Sequence, residues 1–211
     1  MYNFQYANPT RICFGEGQIA TLPELVPAGS RLLVLYGGGS IKQNGVYEQL
    51  TRALEGVTWQ EFSGIGANPR YELLMEAVAL VKRERIDFLL AVGGGSVVDG
   101  TKFVAAAACY EGSDPWDICG KQASVHQALP MGCVLTLPAT GSENNPTSVV
   151  SRGDVKISFR SPLVQPQFAV LDPVTTYSLP ARQTGNGVVD AFIHITEQYL
   201  TFPVGGDVQD R

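Results

Sequence analysis

The sequence predicts an α/β protein: a mostly parallel sheet with helices on both faces, followed by the start of an all-helical domain. Three observations carry this. Short apolar runs end abruptly in glycine clusters and are followed by residues at helical spacing. Those runs are continuous rather than alternating, as expected of strands buried on both faces. The same device, strand then triple glycine then helix, occurs at Gly37 and again at Gly93.

The elements follow in order. Arg31-Leu-Leu-Val-Leu-Tyr36 reads as a buried strand stopping at Gly37-Gly38-Gly39-Ser40. The spacing of Val46, Leu50 and Leu54 predicts a helix over 44–54. Residues 59–62 read as a short strand and 64–69 as a loop. Residues 71–85 are amphipathic, with Leu74, Val78 and Val81 on one face and Glu72, Glu76 and Lys82 elsewhere. A second buried strand over 87–92 runs into Gly93-Gly94-Gly95-Ser96, and an Ala-rich helix is expected over 99–110. Strands at 131–137 and 168–171 complete the sheet, and 152–162 reads as irregular. Strands alternating with helices make the sheet doubly wound and Rossmann-like.

The character changes after Leu179. Pro180-Ala-Arg-Gln-Thr-Gly-Asn186 reads as a break. A helix over 187–201 follows, with Val188, Phe192, Ile195 and Tyr199 at helical spacing. Residues 202–206 end it, and Asp207 reads as the N-cap of a further helix. The expected domains are therefore 1–179, α/β, and 180–211, the truncated beginning of a helical domain. Val188, Phe192 and Ile195 would lack a helical partner, so self-association, to a homodimer or higher, or else marginal stability is expected.

Composition excludes several functions. Lys+Arg is 15 against 20 Asp+Glu, a net charge of −5, and no basic stripe is present to track a nucleic-acid backbone. No apolar run nears the ~18 residues of a membrane span. Met1-Tyr-Asn-Phe-Gln5 has neither the basic nor the apolar region of a signal peptide. Cys13, Cys109, Cys119 and Cys133 form no C-x-x-C pair and are expected to be buried, reduced thiols. The expected location is cytoplasmic. The expected partner is a small molecule, neither nucleic acid nor membrane.

The glycine clusters point to chemistry. Gly93 to Asp99 follows a strand and opens a helix. Glycines let a backbone approach a ligand closely, and free N–H groups at a helix start favour a pyrophosphate. The pattern is neither G-x-G-x-x-G nor a P-loop, and a simple tight turn also accounts for it. After the first cluster no acid occurs until Glu48, while Ser40 and Lys42 can meet a phosphate. The sign of the charge there favours NADP over NAD, whose ribose hydroxyl usually meets a carboxylate. Asp190 and His194, four apart on a predicted helix, share one face. A carboxylate with an imidazole suits Fe²⁺ or Zn²⁺, although a solvated helix face carries the same pair. His126, the other histidine, lies in a polar loop and reads as surface.

Four motifs in order resemble one family: Gly93-Gly-Gly-Ser-Val-Val-Asp99 with Lys102, Thr136-Leu-Pro-Ala-Thr-Gly-Ser-Glu143, Val170-Leu-Asp-Pro173, and Gly187-Val-Val-Asp-Ala-Phe-Ile-His194. They are similar to the iron-containing (group III) alcohol dehydrogenases, within them to the branch of NADPH-dependent aldehyde reductases and butanol dehydrogenases. Pro9-Thr-Arg-Ile-Cys-Phe-Gly15 resembles that family's opening strand. The resemblance implies a dinucleotide-binding domain over 1–179, a helical metal-binding domain from 180, and an active site between them. Gly94, Gly95, Ser96 and Asp99 match the pyrophosphate and nicotinamide-side turn. Thr136 and Thr140 match threonines that line the cofactor, and Lys156 matches a nicotinamide-side lysine. Gly38, Gly39 and Ser40 match the adenine-ribose turn, where NAD-using relatives carry an aspartate. Asp190 and His194 match two of four metal ligands, the other two being histidines expected beyond residue 211. Leu137-Pro138-Ala139 departs from the family pattern.

The implied activity is hydride transfer between NADP(H) and an aldehyde polarised by Fe²⁺ or Zn²⁺. With half a metal site, the 211-residue chain is expected to be weakly active or inactive. The alternatives are a non-catalytic NADP-binding remnant and a dehydroquinate-synthase-like or glycerol-phosphate dehydrogenase relative, which share the triple-glycine turn. No Ser–His–acid or Cys–His arrangement is readable.

Overall fold

A computed structural model of the chain describes Gln5 and residues 7–200. Two compact units are present, one of Pro9–Tyr177 and one of Met1–Asn8 with Ser178–Arg211.

The larger unit is built on eight strands: β1 (Arg11–Phe14), β2 (Arg31–Tyr36), β3 (Thr58–Phe62), β4 (Phe88–Gly94), β5 (Met131–Leu137), β6 (Thr147–Arg152), β7 (Val155–Arg160) and β8 (Phe168–Leu171). Six of them form one sheet in the order β1-β8-β5-β4-β2-β3. Every pairing in it is parallel. The chain leaves β2 outward to β3 and returns on the other side of β2 as β4. The winding therefore reverses between β2 and β4, and ligands of such sheets bind at that point, beyond the carboxyl ends of the strands.

The helices of this unit are α1 (Leu22–Leu25), α2 (Val46–Ala53), α3 (Tyr71–Glu84), α4 (Gly95–Ala108) and α5 (Asp117–Gly120). The strand residues divide by face, as the two-residue period requires. Leu33, Leu35, Leu89 and Ala91 pack with Leu74, Val78, Val98 and Phe103 of α3 and α4. Leu32, Val34, Leu90 and Val92 pack with Val46 and Leu50 of α2. Both faces are covered, which is why these strands read as unbroken apolar runs.

Three details depart from the sequence reading. First, α4 starts at Gly95 rather than Asp99. Gly94 alone makes the turn, in extended geometry (φ −84, ψ −176), so Ser96 and Asp99 lie within the helix. Second, the 152–162 stretch read as irregular holds β7, which pairs with β6 in a regular antiparallel hairpin closed by Gly153 and Asp154. Its strands place Val150 and Phe159 in the core, and buried Ser148 is accommodated because its hydroxyl donates to the Asp99 carbonyl at 2.8 Å. Third, the cysteines divide: Cys119 and Cys133 are buried, whereas Cys13 and Cys109 are only half-buried, and all four are free.

In the smaller unit α6 spans Ala181–Leu200. No break separates Pro180 from the helix. The Pro180 carbonyl accepts from Gln183 N at 2.8 Å and Thr184 N at 3.2 Å, so the proline opens the helix. Gly185 and Gly187 lie inside it, each at a propensity cost of about 1 kcal/mol relative to alanine. The predicted helix end at Thr201, the 202–206 stop and the Asp207 cap lie outside the described residues. No described helix is long and apolar enough to cross a membrane.

Candidate functional site

Because the sheet is parallel, the chain leaves β2, β4, β5 and β8 along one edge. Both glycine clusters stand there on adjacent strands: Gly37 to Ser40 after β2, and Gly93 to Ser96 across the end of β4. They flank the point where the winding reverses.

The second cluster opens onto the N-terminus of α4, whose Gly94 N-cap supplies no side-chain hydrogen bond. The early amides of a helix carry partial positive charge and look for acceptors. Gly95 faces Thr140 so closely that a Cβ there would collide with the threonine side chain. Thr140 is itself held by a 2.7 Å hydrogen bond between its hydroxyl and that of Ser142. A pocket of about 230 Å³ lies at this place. It brings together Gly95, Ser96, Asp99, Thr140 and Lys156 from the sequence reading.

The remaining wall comes from Asn68, Pro69, Ser142, Asn145, Thr147 and Val149, which sequence reasoning missed. A usable signal existed in two Asn-Pro steps, Asn68-Pro69 and Asn145-Pro146, because Asn before Pro marks a turn. The hairpin matters because it delivers Lys156, which pairs across from Ser151. Its β6 strand is tied to α4 along its length. Asp99 Oδ2 accepts from Val149 N at 3.2 Å. Lys102 Nζ donates to the Asn145 carbonyl at 2.7 Å, the Thr147 carbonyl at 2.7 Å and Asn145 Oδ1 at 3.1 Å.

Two charges are buried here. Burial raises the Asp99 pKa above its ordinary value; Ser142, Lys102 and Lys156 offset this in part. Asp99 Oδ1 is shielded from solvent and has no hydrogen-bond partner among the described residues. Lys102 is wholly buried, and desolvation brings its pKa down to about 8 against the attraction of Asp99. An unpartnered carboxylate oxygen beside bare helix amides is suited to a ligand offering both hydroxyl or amide donors and anionic oxygens.

Other residues lie apart from this pocket. Gly94 pairs with Leu137 at the ends of β4 and β5, and Thr136, one residue back on β5, is half-buried. Gly38, Gly39 and Ser40 sit at the end of β2, with Gly38 and Ser40 exposed. Lys42 is not free to meet a phosphate unopposed: its ammonium lies 2.9 Å from Glu61 Oε1. Asp190 and His194 share one face of α6, with His194 Nδ1 3.8 Å from Asp190 Oδ2 and both side chains more than half exposed (53% and 60%). Among the described residues no group of three or more His, Cys, Asp or Glu could hold a metal ion. His126 is exposed. It borders a larger hollow of about 550 Å³ with Cys109 and Glu111. That hollow adjoins the C-terminal end of α4, away from the helix N-terminus and both glycine turns.

A parallel, doubly wound sheet carrying both glycine turns where its winding reverses defines the Rossmann-like α/β class. Within that class the chain belongs to the iron-containing alcohol dehydrogenase family, whose sequence profile matches residues 9–173. It is 58% identical to the NADPH-dependent aldehyde reductase YqhD of Escherichia coli K12, across 100% of this chain and 56% of the relative. It is 48% identical to the probable NADH-dependent butanol dehydrogenase 1 of Bacillus subtilis, across 100% of this chain and 56% of that protein. Among solved structures, the substrate- and cofactor-free aldehyde reductase YqhD from E. coli superposes with a TM-score of 0.91 at 55% identity, covering 100% of this chain and 55% of the other. The NADH-dependent butanol dehydrogenase A of Thermotoga maritima does so with a TM-score of 0.88 at 41% identity, covering 99% and 55%. The chain spans about half the length of the curated relatives it matches. The family match sets aside the dehydroquinate-synthase-like reading.

Proposed function

We propose that this chain is the coenzyme-binding part of an NADP(H)-dependent, metal-dependent alcohol dehydrogenase or aldehyde reductase. The observation that carries the reading is the cradle where Gly95, at the uncapped start of α4, meets Thr140 beside the buried carboxylate of Asp99. The amides of that helix start are donors for a pyrophosphate. Gly94, as N-cap, and Gly95, as first helical residue, present those amides, with Thr140 packed against Gly95, and the Ser96 and Thr140 hydroxyls add hydrogen bonds. Asp99 Oδ1 accepts from a coenzyme hydroxyl or amide. Lys156 brings positive charge to the nicotinamide side, and Thr136 lines the approach from β5. At the other end Gly38, Gly39 and Ser40 take the adenine ribose, where no acid follows before Glu48.

Asp190 and His194 are the residues that would hold Fe²⁺ or Zn²⁺. When bound, NADPH supplies the hydride and the metal supplies Lewis acidity toward the aldehyde oxygen. The part of this chain is to fix the nicotinamide in one orientation and to exclude water from it. The reading also places the protein in the cytoplasm as a homodimer or higher, in keeping with four free cysteines and exposed Val188, Phe192 and Ile195 on α6.

A second reading, an NADP-binding chain without catalysis, is favoured by one observation: the described residues offer two metal donors and no third. Titrating NADPH and NADH against intrinsic fluorescence tests the common part of both readings. NADPH is expected to bind more tightly, and equal affinities would remove the argument for the 2′-phosphate.

A further inference from the structure

The adenine-ribose end holds a charge arrangement that the glycine turn does not explain. Ser40–Lys42 is a single tight turn directly after Gly39. The Lys42 ammonium lies 2.9 Å from Glu61 Oε1, 4.7 Å from the Tyr47 ring centre and 5.3 Å from that of Tyr36. Tyr36 ends β2, and Glu61 lies on β3 opposite Val34. The segment after β3 is stitched to the turn, with Gly64 N donating to the Gly37 carbonyl at 3.0 Å and Ile65 N to that of Tyr36 at 3.2 Å. A carboxylate and a cation thus share the margin of one turn. Both side chains remain about two-fifths exposed (41% and 39%), within reach of a ligand.

A carboxylate near the adenine ribose favours a free 2′-hydroxyl and repels a 2′-phosphate, and a cation does the reverse. Here both are present, on different elements, each neutralising the other. On the reading of this edge as an NADP(H) site, we propose that Glu61 sets the coenzyme preference through its hold on Lys42. A 2′-phosphate competes with Glu61 for the ammonium, and Glu61 is the acid that accepts from a free 2′-hydroxyl. The contest is between fixed charges. Hydrogen bonds donated to Tyr36 and Glu61 hold Lys42 well above the usual lysine range. Burial pushes the Glu61 carboxyl up, but hydrogen bonds from Lys42, Tyr36 and Tyr47 outweigh it and keep the group below its ordinary value. Nothing in the family assignment fixes this preference, since the relatives above carry both NADPH and NADH in their names.

The test is fluorescence titration of the whole chain with NADPH and with NADH, for the parent, Glu61→Gln and Lys42→Met. An exposed ion pair contributes about 0–1 kcal/mol to stability, so both variants fold. Glu61→Gln is expected to raise the ratio of the NADH to the NADPH dissociation constant about tenfold, and Lys42→Met to lower it about tenfold. Ratios within about twofold of the parent in both variants, with the parent preferring NADPH, overturn the role of Glu61 and leave the site reading standing. A parent chain that binds neither coenzyme overturns both.

Discussion

Lys102 donates to the Asn145 carbonyl at 2.7 Å from a side chain wholly shielded from solvent. The same ammonium donates to Thr147 O and Asn145 Oδ1, so all three of its protons are used inside the protein. Asn145 and Thr147 form part of the pocket wall, so one buried charge pins that wall to α4. Lys102→Met leaves two main-chain carbonyls without this donor, at about 1–3 kcal/mol each, against which the relief of a desolvated charge counts only in part. The expected loss is about 2 kcal/mol by urea unfolding at pH 7, together with weaker NADPH binding. An unchanged midpoint would mean that the wall stands without its lysine. The pH dependence has a definite sign. The folded-state pKa, about 8, lies below the ordinary 10.5, so between those values the unfolded chain holds more protons. This group's contribution to stability therefore rises with pH across that window, and the Met variant lacks the rise.

Two glycines separate packing from ligand binding. A Cβ on Gly38 would meet nothing within 4 Å, whereas one on Gly95 would strike Thr140. Gly38→Ala should leave the melting temperature within about 2 °C of the parent and weaken NADPH about tenfold. Gly95→Ala should lower both. If Gly38→Ala binds NADPH as tightly as the parent, the first glycine cluster is only a turn.

The fold was legible where burial on both faces imposes continuous apolar runs, as in β2, β4 and β5. It was missed in β6 and β7 although Val155, Ile157 and Phe159 alternate with Lys156, Ser158 and Arg160 as a half-buried strand does; in β6 the buried Ser148 and Ser151 break the apolar run. Composition also misled at both helix starts. Gly95 before Asp99 and the glycines after Pro180 look like loop residues, yet all of them are helical because tertiary placement overrides a cost of about 1 kcal/mol per glycine. Of the site, the α4 turn with Thr140 and Lys156 was readable as motif. Glu61 was not, since it reaches Lys42 from a different strand and no spacing along the chain encodes that meeting.

The hairpin that carries Lys156 is anchored at its tip as well as its base. Asp114 accepts from Tyr71 Oη at 2.6 Å, Trp116 N at 2.9 Å and Arg152 at 2.9 Å. These hydrogen bonds, that of Tyr71 foremost, bring its pKa down from 3.8 to about 2. A carboxyl depressed on folding contributes stability above its unfolded pKa and loses it as pH falls toward the folded value. The window here is from about 4 to about 2. Asp114→Asn should flatten that part of the acid-unfolding curve, measured by circular dichroism. A parallel curve would show that the tip is held by its aromatic contacts, with Arg152 4.5 Å from the Tyr71 ring centre.

Asp190 and His194 lie on one face of α6, their nearest polar atoms 3.8 Å apart, and both reach solvent. Structural metal sites use about four protein ligands and catalytic ones about three. Two donors on an exposed helix lose metal to water readily. Zinc at about 100 µM should therefore stabilise the chain by less than about 1 kcal/mol in a thermal scan, since binding adds only RT ln(1 + [L]/Kd). His194→Ala should remove whatever shift there is. A gain of several kcal/mol that saturates at one zinc per chain and vanishes in His194→Ala would show that further donors complete the site. The chain would then hold its metal unaided, and the reading as a coenzyme-binding chain without catalysis would lose the observation that favours it.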